Sequence, residues 1–319
     1  MDSHYFVHGP LRTRLLQGGQ RSLTGRLPKI TPRLSLTERM LRVFAAESPA
    51  AICAAIYTRI GALRRGVAHF NPAFDYDAGG QPYSAVRKPD PRIAKQIRAA
   101  LGTNTRTVLN VGAGSGSYEP TDCHVVALEP SAVMRGQRPR TLAPALRATA
   151  ENIPFDDGAF DAAMACLTVH HWKDKSMGLR EMRRVTRGPV VLMVFDPDAP
   201  TEFWLYDYAP ELLAVERERH GPIGALTDAL GGQCRIEAVP LPRDCTDGLK
   251  VAFYARPEAF LFDGVRKAQS TWSFIDKATE ARIVDALSRD LTSGAWDAKY
   301  GKLRSRPYIN CQLRLIIAT

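Results

Sequence analysis

Three glycines at alternate positions follow an apolar, β-branched segment, and an acidic residue comes after the next such segment. The first segment is Thr107–Val111 and the glycines are Gly112, Gly114 and Gly116. Such composition is typical of buried parallel strands, and glycine lets a turn bring its backbone against a ligand. Glu129 follows the second segment. Because a carboxylate there can accept hydrogen bonds from both hydroxyls of a ribose, the pattern predicts a strand, loop and strand that bind a nucleoside.

The glycine spacing indicates which class of nucleoside cofactor the loop binds. A dinucleotide fingerprint has its third glycine at offset five, where this chain has Ser117. A cofactor without a pyrophosphate does not need a helix N-terminus as its anion cradle. The loop resembles that of class I S-adenosylmethionine (SAM) dependent methyltransferases. The resemblance implies SAM as cofactor, with S-adenosylhomocysteine as product.

Three further segments resemble the same family in the same order. Thr149–Phe155 is similar to the segment that flanks the adenine, Ala162–Trp172 to the fourth strand and its active-site end, and Arg180–Phe195 to a helix and the fifth strand. The resemblance implies a set of cofactor-binding residues in the loop, after the second strand and at the ends of the next two segments: Asn110, Gly112, Ala113, Gly114, Gly116, Glu129, Pro130, Met134, Ala150, Glu151, Leu167 and Thr168.

One position departs from the family. Many relatives have an aspartate where this chain has Thr149, and its carboxylate binds the adenine amino group. A hydroxyl accepts that bond more weakly, so we expect backbone contacts near Ala150 and Glu151 to hold the adenine instead.

A segment before the first strand, Tyr83–Ile93, resembles the part of small-molecule methyltransferases that closes over the cofactor. Tyr83 and Arg87 lie four residues apart there. A guanidinium can clamp the free carboxylate of SAM, while tyrosine supplies a ring and a hydroxyl. The alternative is that Arg87 pairs with an acidic side chain of the protein.

The resemblance implies an α/β, Rossmann-like fold. We expect a seven-stranded, mostly parallel sheet with an antiparallel final strand, helices on both faces and a helical lid over about residues 197–230. The sixth strand is expected near Cys234–Val239 and the last at Gln312–Ala318, with helical stretches at Arg256–Val265 and Lys277–Ser293. The lid range contains the densest aromatic patch of the chain, which favours an acceptor with an apolar or planar part.

Methyl transfer from a sulfonium needs chiefly alignment and desolvation. A base is required only for a protonated acceptor, and His170 and His171 lie where the fourth strand should open onto the acceptor. Tyr206 in the lid is the third candidate catalytic residue. The two histidines could instead organise the loop. No metal is predicted, because adjacent histidines project apart and no third ligand follows at a useful spacing.

The charge lies mostly at the N-terminal end. Of the net +10, residues 1–69 supply eight, from eleven Lys and Arg against three acids. The remainder is almost neutral and has no basic, aromatic stripe of the kind that RNA-binding proteins use. Nucleic acid is therefore a less expected partner.

Two features predict a cytoplasmic protein. The six cysteines show no paired or regular spacing, and no apolar run is as long as a membrane-spanning helix.

The chain divides into three predicted parts. Residues 1–36 form a basic, flexible extension, residues 37–69 a helical segment, and residues 70–319 the methyltransferase domain. The Arg-rich start could also be an organelle transit peptide or result from an upstream start codon.

Together these features predict a SAM-dependent methyltransferase that moves the methyl group to O, N or C of a small organic acceptor. The alternatives are a tRNA or rRNA methyltransferase and a catalytically silent SAM-binding protein. The acceptor and the oligomeric state are not readable from the residues.

Overall fold

The computed structural model describes residues 87–319, and a six-stranded sheet lies at their centre. The strands, numbered along the chain, are β1 (Thr107–Val111), β2 (His124–Leu128), β3 (Ala162–Cys166), β4 (Val190–Phe195), β5 (Cys234–Ala238), β6 (Leu241–Pro242), β7 (Tyr308–Ile309) and β8 (Leu313–Ala318). The sheet order is β2-β1-β3-β4-β8-β5, and β6 pairs with β7 separately. Strands β1 to β4 pair in parallel, whereas β8 runs antiparallel to both β4 and β5. The Rossmann-like fold with an antiparallel final strand is confirmed.

The sheet has six strands where seven were expected. The missing strand is a single parallel bridge between Leu128 and Leu146 at the β2 edge. Leu146 N donates to Ala127 O over 2.8 Å, and its carbonyl accepts from Glu129 N over 2.9 Å. Pro144, two residues earlier, has no N–H to continue the ladder, and a turn closed by Asn152 N donating to Thr149 O follows. The edge strand is therefore reduced to one residue.

Ten helices accompany the strands in the described part of the chain. They are α1 (Pro91–Ala100), α2 (Ala132–Gly136), α3 (Lys175–Arg184), α4 (Leu205–Tyr208), α5 (Pro210–His220), α6 (Ile223–Leu230), α7 (Asp263–Lys267), α8 (Lys277–Ser293), α9 (Ala295–Tyr300) and α10 (Lys302–Ser305). Short 3-10 turns lie at Val169–His171, Lys250–Phe253, Pro257–Leu261 and Ser270–Phe274. The helix expected at Lys277–Ser293 is present, and Arg256–Val265 forms a 3-10 turn and the start of α7.

Both faces of the sheet are covered by helices, because side chains alternate along each strand. In β4, Val191 and Met193 join one buried cluster, whereas Val190 and Leu192 join the other. Helices α1, α4, α8 and α9 contribute to the first cluster. Helices α3 and α6 contribute to the second. All six residues of β4 are buried, as expected for a strand between two helical layers.

The expected lid range holds α4, α5 and α6. On the first face, α4 is anchored by Trp204, which lies just before it. Its indole Nε1 donates to Tyr254 O over 2.9 Å, and its ring packs edge-on against Trp296 at 5.5 Å. Helix α6 instead packs on α3 at the other face. We call α4, α5, α8 and α9 the helical cover.

Among residues 87–319, the helices are too short or too polar to cross a membrane.

The buried position of β8 between β4 and β5 leads to a stability prediction. Ile316 is fully buried, and its register partner Ile236 on β5 is 46% exposed. We expect Ile316→Ala to lower the free energy of unfolding by about 2–5 kcal/mol through cavity formation, measured by chemical denaturation. Ile236→Ala, the matched control, should cost less than about 1 kcal/mol. Equal losses at the two positions would contradict the assigned burial of β8.

Candidate functional site

The glycine loop after β1 has the conformation and the close approach that glycine permits. Gly112, Gly114 and Gly116 all have positive φ, at 67°, 53° and 94°. A Cβ on Gly112 would lie 2.9 Å from the Cβ of Thr168, and closer still to its hydroxyl oxygen. Because real Cβ atoms do not come so close, the loop reaches the end of β3 only with glycine at position 112.

Glu129, directly after β2, holds the loop from the other side. Its Oε2 accepts from Gly114 N over 2.8 Å, and its Oε1 accepts from Ser131 N over 2.8 Å. The residue is 7% exposed. The two backbone bonds therefore fix the carboxylate between the loop and the end of β2.

A cleft of about 380 Å³ opens between the glycine loop, the β2 end and the β3 end. Its size lies within the range of small-ligand pockets. Of the residues predicted to bind cofactor, the following line it: Asn110, Gly112, Ala113, Gly114, Glu129, Pro130, Met134, Ala150, Glu151, Leu167 and Thr168. Trp172 and Lys173 add to the wall beside Ala150 and Glu151. The structure therefore brings together four segments that are far apart in sequence.

The other predicted residues lie elsewhere. Gly116 is absent from the cleft wall, and a Cβ there would meet Leu142 and Arg138. Arg87 Nε donates to Asp247 Oδ1 over 2.5 Å, and Tyr118 Oη donates to the other oxygen over 2.6 Å. The structure thus shows the alternative, in which Arg87 pairs with an acidic side chain of the protein. Contact between Arg87 and the carboxylate of the cofactor stays a prediction. Tyr83 lies outside the described residues.

A buried ion pair that the sequence analysis missed supports the loop. Arg138 Nη1 and Nη2 donate to the two oxygens of Glu119, both over 3.0 Å, and Asn110 Nδ2 donates to Oε1 over 3.0 Å. The side chains of Arg138 and Glu119 are only 4% and 2% exposed. This bidentate pair fixes the loop's far end relative to β1. No local pattern connects two residues nineteen positions apart.

The end of β3 carries backbone strain where it faces the cleft. Leu167 has a φ of 53°, a region that non-glycine residues seldom adopt. Its N–H donates to Met193 O over 2.7 Å, which continues the β3–β4 ladder to this residue. Such strain persists when surrounding contacts enforce it, and it is concentrated at functional sites.

The two predicted histidines occupy the 3-10 turn after β3. His171 lines the cleft, and the centre of the His170 ring lies 4.0 Å from the centre of the His171 ring. Burial lowers the pKa of His171 to about 3, and the charge of Arg219 adds to the effect. Burial, then neighbouring His171, lowers the pKa of His170 as well. Both imidazoles are neutral at neutral pH and hold a proton weakly. Their role as bases stays a prediction.

Tyr206, the third predicted catalytic residue, lies in α4 and is 8% exposed. It does not line the cleft. Burial raises the pKa of its hydroxyl, followed by the charge of Glu216. Within residues 87–319 the hydroxyl has no hydrogen-bond partner. The catalytic role of Tyr206 stays a prediction.

Comparison with known proteins agrees with this site. A family model described as a methyltransferase domain matches residues 109–194. A solved structure described as a methyltransferase from an antibiotic biosynthesis pathway of Anabaena variabilis is 30% identical. It aligns with a TM-score of 0.68 and covers 73% of this chain and 99% of that protein.

Curated relatives match over shorter regions. Demethylmenaquinone methyltransferase of Mycolicibacterium gilvum is 36% identical over 107 residues, or 34% of this chain and 43% of the relative. The ubiquinone/menaquinone biosynthesis C-methyltransferase of Geobacter sp. is 41% identical over 54 residues, or 17% of this chain and 23% of the relative. The chain thus spans less than half the length of these curated relatives.

The fold, the cleft and the 30% identity to a solved methyltransferase covered over 99% of its length define the class: the chain belongs to the SAM-dependent methyltransferases. It is a transferase, and its cofactor is SAM.

The close approach of Gly112 to Thr168 predicts a loss of cofactor binding on adding one methyl group. We expect Gly112→Ala to weaken SAM binding about tenfold or more, since overpacking costs about 1–3 kcal/mol. Calorimetric titration with SAM measures the change. Gly231→Ala is the control, because Gly231 also has positive φ, at 64°, and a Cβ there meets nothing within 4 Å. It should cost only backbone strain and leave SAM binding unchanged; equal loss of binding would contradict the close approach.

The depressed pKa of His171 predicts a pH dependence of stability. Because the folded pKa is near 3 and the ordinary value 6.5, the unfolded chain binds more protons between these values. Stability should therefore fall as pH drops below 6.5, with His171 contributing about 1 kcal/mol per pH unit. Chemical denaturation across this window should show a smaller slope for His171→Asn. An unchanged slope for His171→Asn would show that His171 titrates normally.

Proposed function

We propose that this chain moves the methyl group of SAM to O, N or C of a small organic acceptor by in-line displacement. The observation that carries the proposal is the cleft itself. Glycine loop, Glu129 carboxylate and strained β3 end converge at the carboxyl edge of the parallel strands, where open α/β sheets bind ligands. Helix α5 of the helical cover packs against the 3-10 turn Val169–His171 after β3 and can help to exclude water.

The residues present fit SAM. The glycine loop forms a cradle that a Cβ at position 112 would fill. Glu129, held by two backbone amides, is placed to accept from the ribose hydroxyls, and Met134 supplies an apolar wall. Glu151 is occupied at Oε1 by the amides of Lys173 and Asp174, at 2.8 and 3.2 Å. Backbone atoms near Ala150 are therefore better suited than the Glu151 side chain to contact the adenine.

When bound, SAM would supply a sulfonium-bound methyl group for transfer to the acceptor. The protein's task is to align the acceptor and keep water out. His171 and Trp172 stand at the cleft wall next to the β3 end. With its depressed pKa, His171 orients the acceptor as a neutral hydrogen-bonding ring better than it removes a proton.

The acceptor is not carried over from the curated relatives. Their matches to this chain are short, over 107 and 54 residues, and cover less than half of each relative. We also propose the cytoplasm as the site of the reaction. The five cysteines of the described part are free thiols, as expected in a reducing compartment.

Calorimetric titration of the full chain with SAM, S-adenosylhomocysteine and NADH tests the proposal. We expect both adenosyl ligands to bind and NADH not to bind. Glu129→Gln should weaken both by about 10- to 100-fold, because hydrogen bonds to a charged group contribute about 1.5–3 kcal/mol. Glu237→Gln, on the opposite edge strand β5, is the control. Binding of NADH alone would overturn the cofactor assignment, and SAM binding without turnover on any acceptor in a screen would favour a silent SAM-binding protein.

A further inference from the structure

Helix α3 contains a buried glycine, Gly178, whose backbone conformation does not require glycine. It is the fourth residue of α3, and its N–H donates to Asp174 O over 3.0 Å in the ordinary helical pattern. Its φ lies outside the left-handed region. Glycine within a helix is less favourable than alanine, because it loses more backbone freedom on folding. The presence of glycine at this position therefore has a cause other than backbone conformation.

The cause lies in the two side chains that Gly178 faces. A Cβ at position 178 would lie 2.6 Å from Cε3 and 3.0 Å from Cζ3 of the Trp172 ring. It would also lie 2.9 Å from the Cβ of Ala150. Since non-bonded carbon atoms are optimally about 3.5–4.0 Å apart, a larger residue fits here only if one of these neighbours moves.

Both neighbours belong to the wall of the cofactor cleft. Trp172 and Ala150 line the cleft, whereas Gly178 does not. They are 7% and 4% exposed and join the second buried cluster together with Leu179 and Met182 of α3. The two side chains thus stand between α3 and the cleft. Because they are packed on the side of the core, the open cleft is the direction in which they can move.

The backbone next to this wall is bonded to α3 and to the residues just before it. Glu151 Oε1 accepts from Lys173 N over 2.8 Å. Ile153 N donates to Glu181 Oε2 over 3.2 Å, and Ile153 O accepts from Arg184 Nη2 over 3.1 Å. These bonds hold the segment at a fixed distance from the helix. A larger residue on the helix therefore displaces the rotatable indole rather than the backbone.

We propose that Gly178 is a positioning residue for the cofactor: because it has no side chain, the Trp172 indole stays against α3 and out of the cleft. Gly178 and Trp172 form a matched pair of a small and a large residue that sets the width of the cleft beside Ala150. The inference rests on the proposed function, because it concerns the wall that is expected to face the adenine of SAM. It adds a residue outside the cleft that controls the affinity for adenosyl ligands.

The pair affects the ligand-bound protein more than the free protein. Without ligand, an indole displaced by a methyl group at position 178 has the open cleft of about 380 Å³ beside it. With ligand bound, the indole and the adenosine compete for the same space. The effect therefore appears in the dissociation constant rather than in the stability of the ligand-free protein. A glycine that served helix packing alone would show the opposite pattern.

Calorimetric titration of the full chain with S-adenosylhomocysteine tests the proposal. We expect Gly178→Ala to weaken binding about tenfold or more, as is typical of overpacking. The thermal unfolding midpoint of the ligand-free variant should change little, because the higher helix propensity of alanine offsets part of the strain. The rise of the midpoint at a fixed concentration of S-adenosylhomocysteine should be smaller than in the wild type.

Gly224→Ala is the matched control. Gly224 also lies within a helix, α6, and no atom of the described residues lies within 4 Å of a Cβ built there. The same substitution in a helix without close neighbours should leave the affinity for S-adenosylhomocysteine unchanged.

A second background, Trp172→Leu, separates positioning from a general packing role. Leucine lacks the two ring atoms that a Cβ at position 178 would meet. In that background Gly178→Ala should weaken binding by less than about threefold relative to Trp172→Leu alone, because the two positions are coupled. Equal losses in the two backgrounds, unchanged affinity of Gly178→Ala, or unfolding of its ligand-free form would overturn the inference. If the wild-type chain itself fails to bind S-adenosylhomocysteine, the proposed function fails instead.

Discussion

The approach of the Gly112 backbone to Thr168 is the constraint on which the site depends. Parallel pairing of β1 with β3 sets the distance between the loop after one strand and the end of the other. At that distance no Cβ fits at position 112. The strained Leu167 sits at the same junction. Shifting either strand would therefore open or close the cleft.

Buried ion pairs connect distant segments of this molecule. Glu119 and Arg138 form a closed bidentate pair, also bonded by Asn110, that fixes the glycine loop. The charges of that pair cancel, and its contacts are complete. Glu216 and Lys250 form a second buried ion pair, over 2.5 Å. Each pair joins two segments that are separated in the sequence.

Much of the fold and the cofactor cleft was predictable because each part has a local signal. A doubly buried parallel strand needs an apolar run, as in β4, and a backbone at positive φ needs glycine, as at Gly114. Eleven of the predicted residues line the cleft for this reason. The prediction of a seventh strand was wrong, because Pro144 prevents the ladder before Leu146 and a turn at Thr149–Asn152 follows it. Gly116 was placed correctly in the loop, but its neighbours are Leu142 and Arg138 rather than the cleft.

The sequence by itself determined the family, the order of strands and loops, and the edge of the sheet that binds the cofactor. These follow from spacing within short segments, where backbone geometry restricts the residue types. Only the tertiary structure decided which charges meet. Arg87 pairs with Asp247 across 160 positions, and Lys250 pairs with Glu216 across 34. Such partners are selected by the packing of the helical cover on the sheet. Lys and Glu are compatible with many exposed positions, so their burial leaves no periodic trace in the sequence.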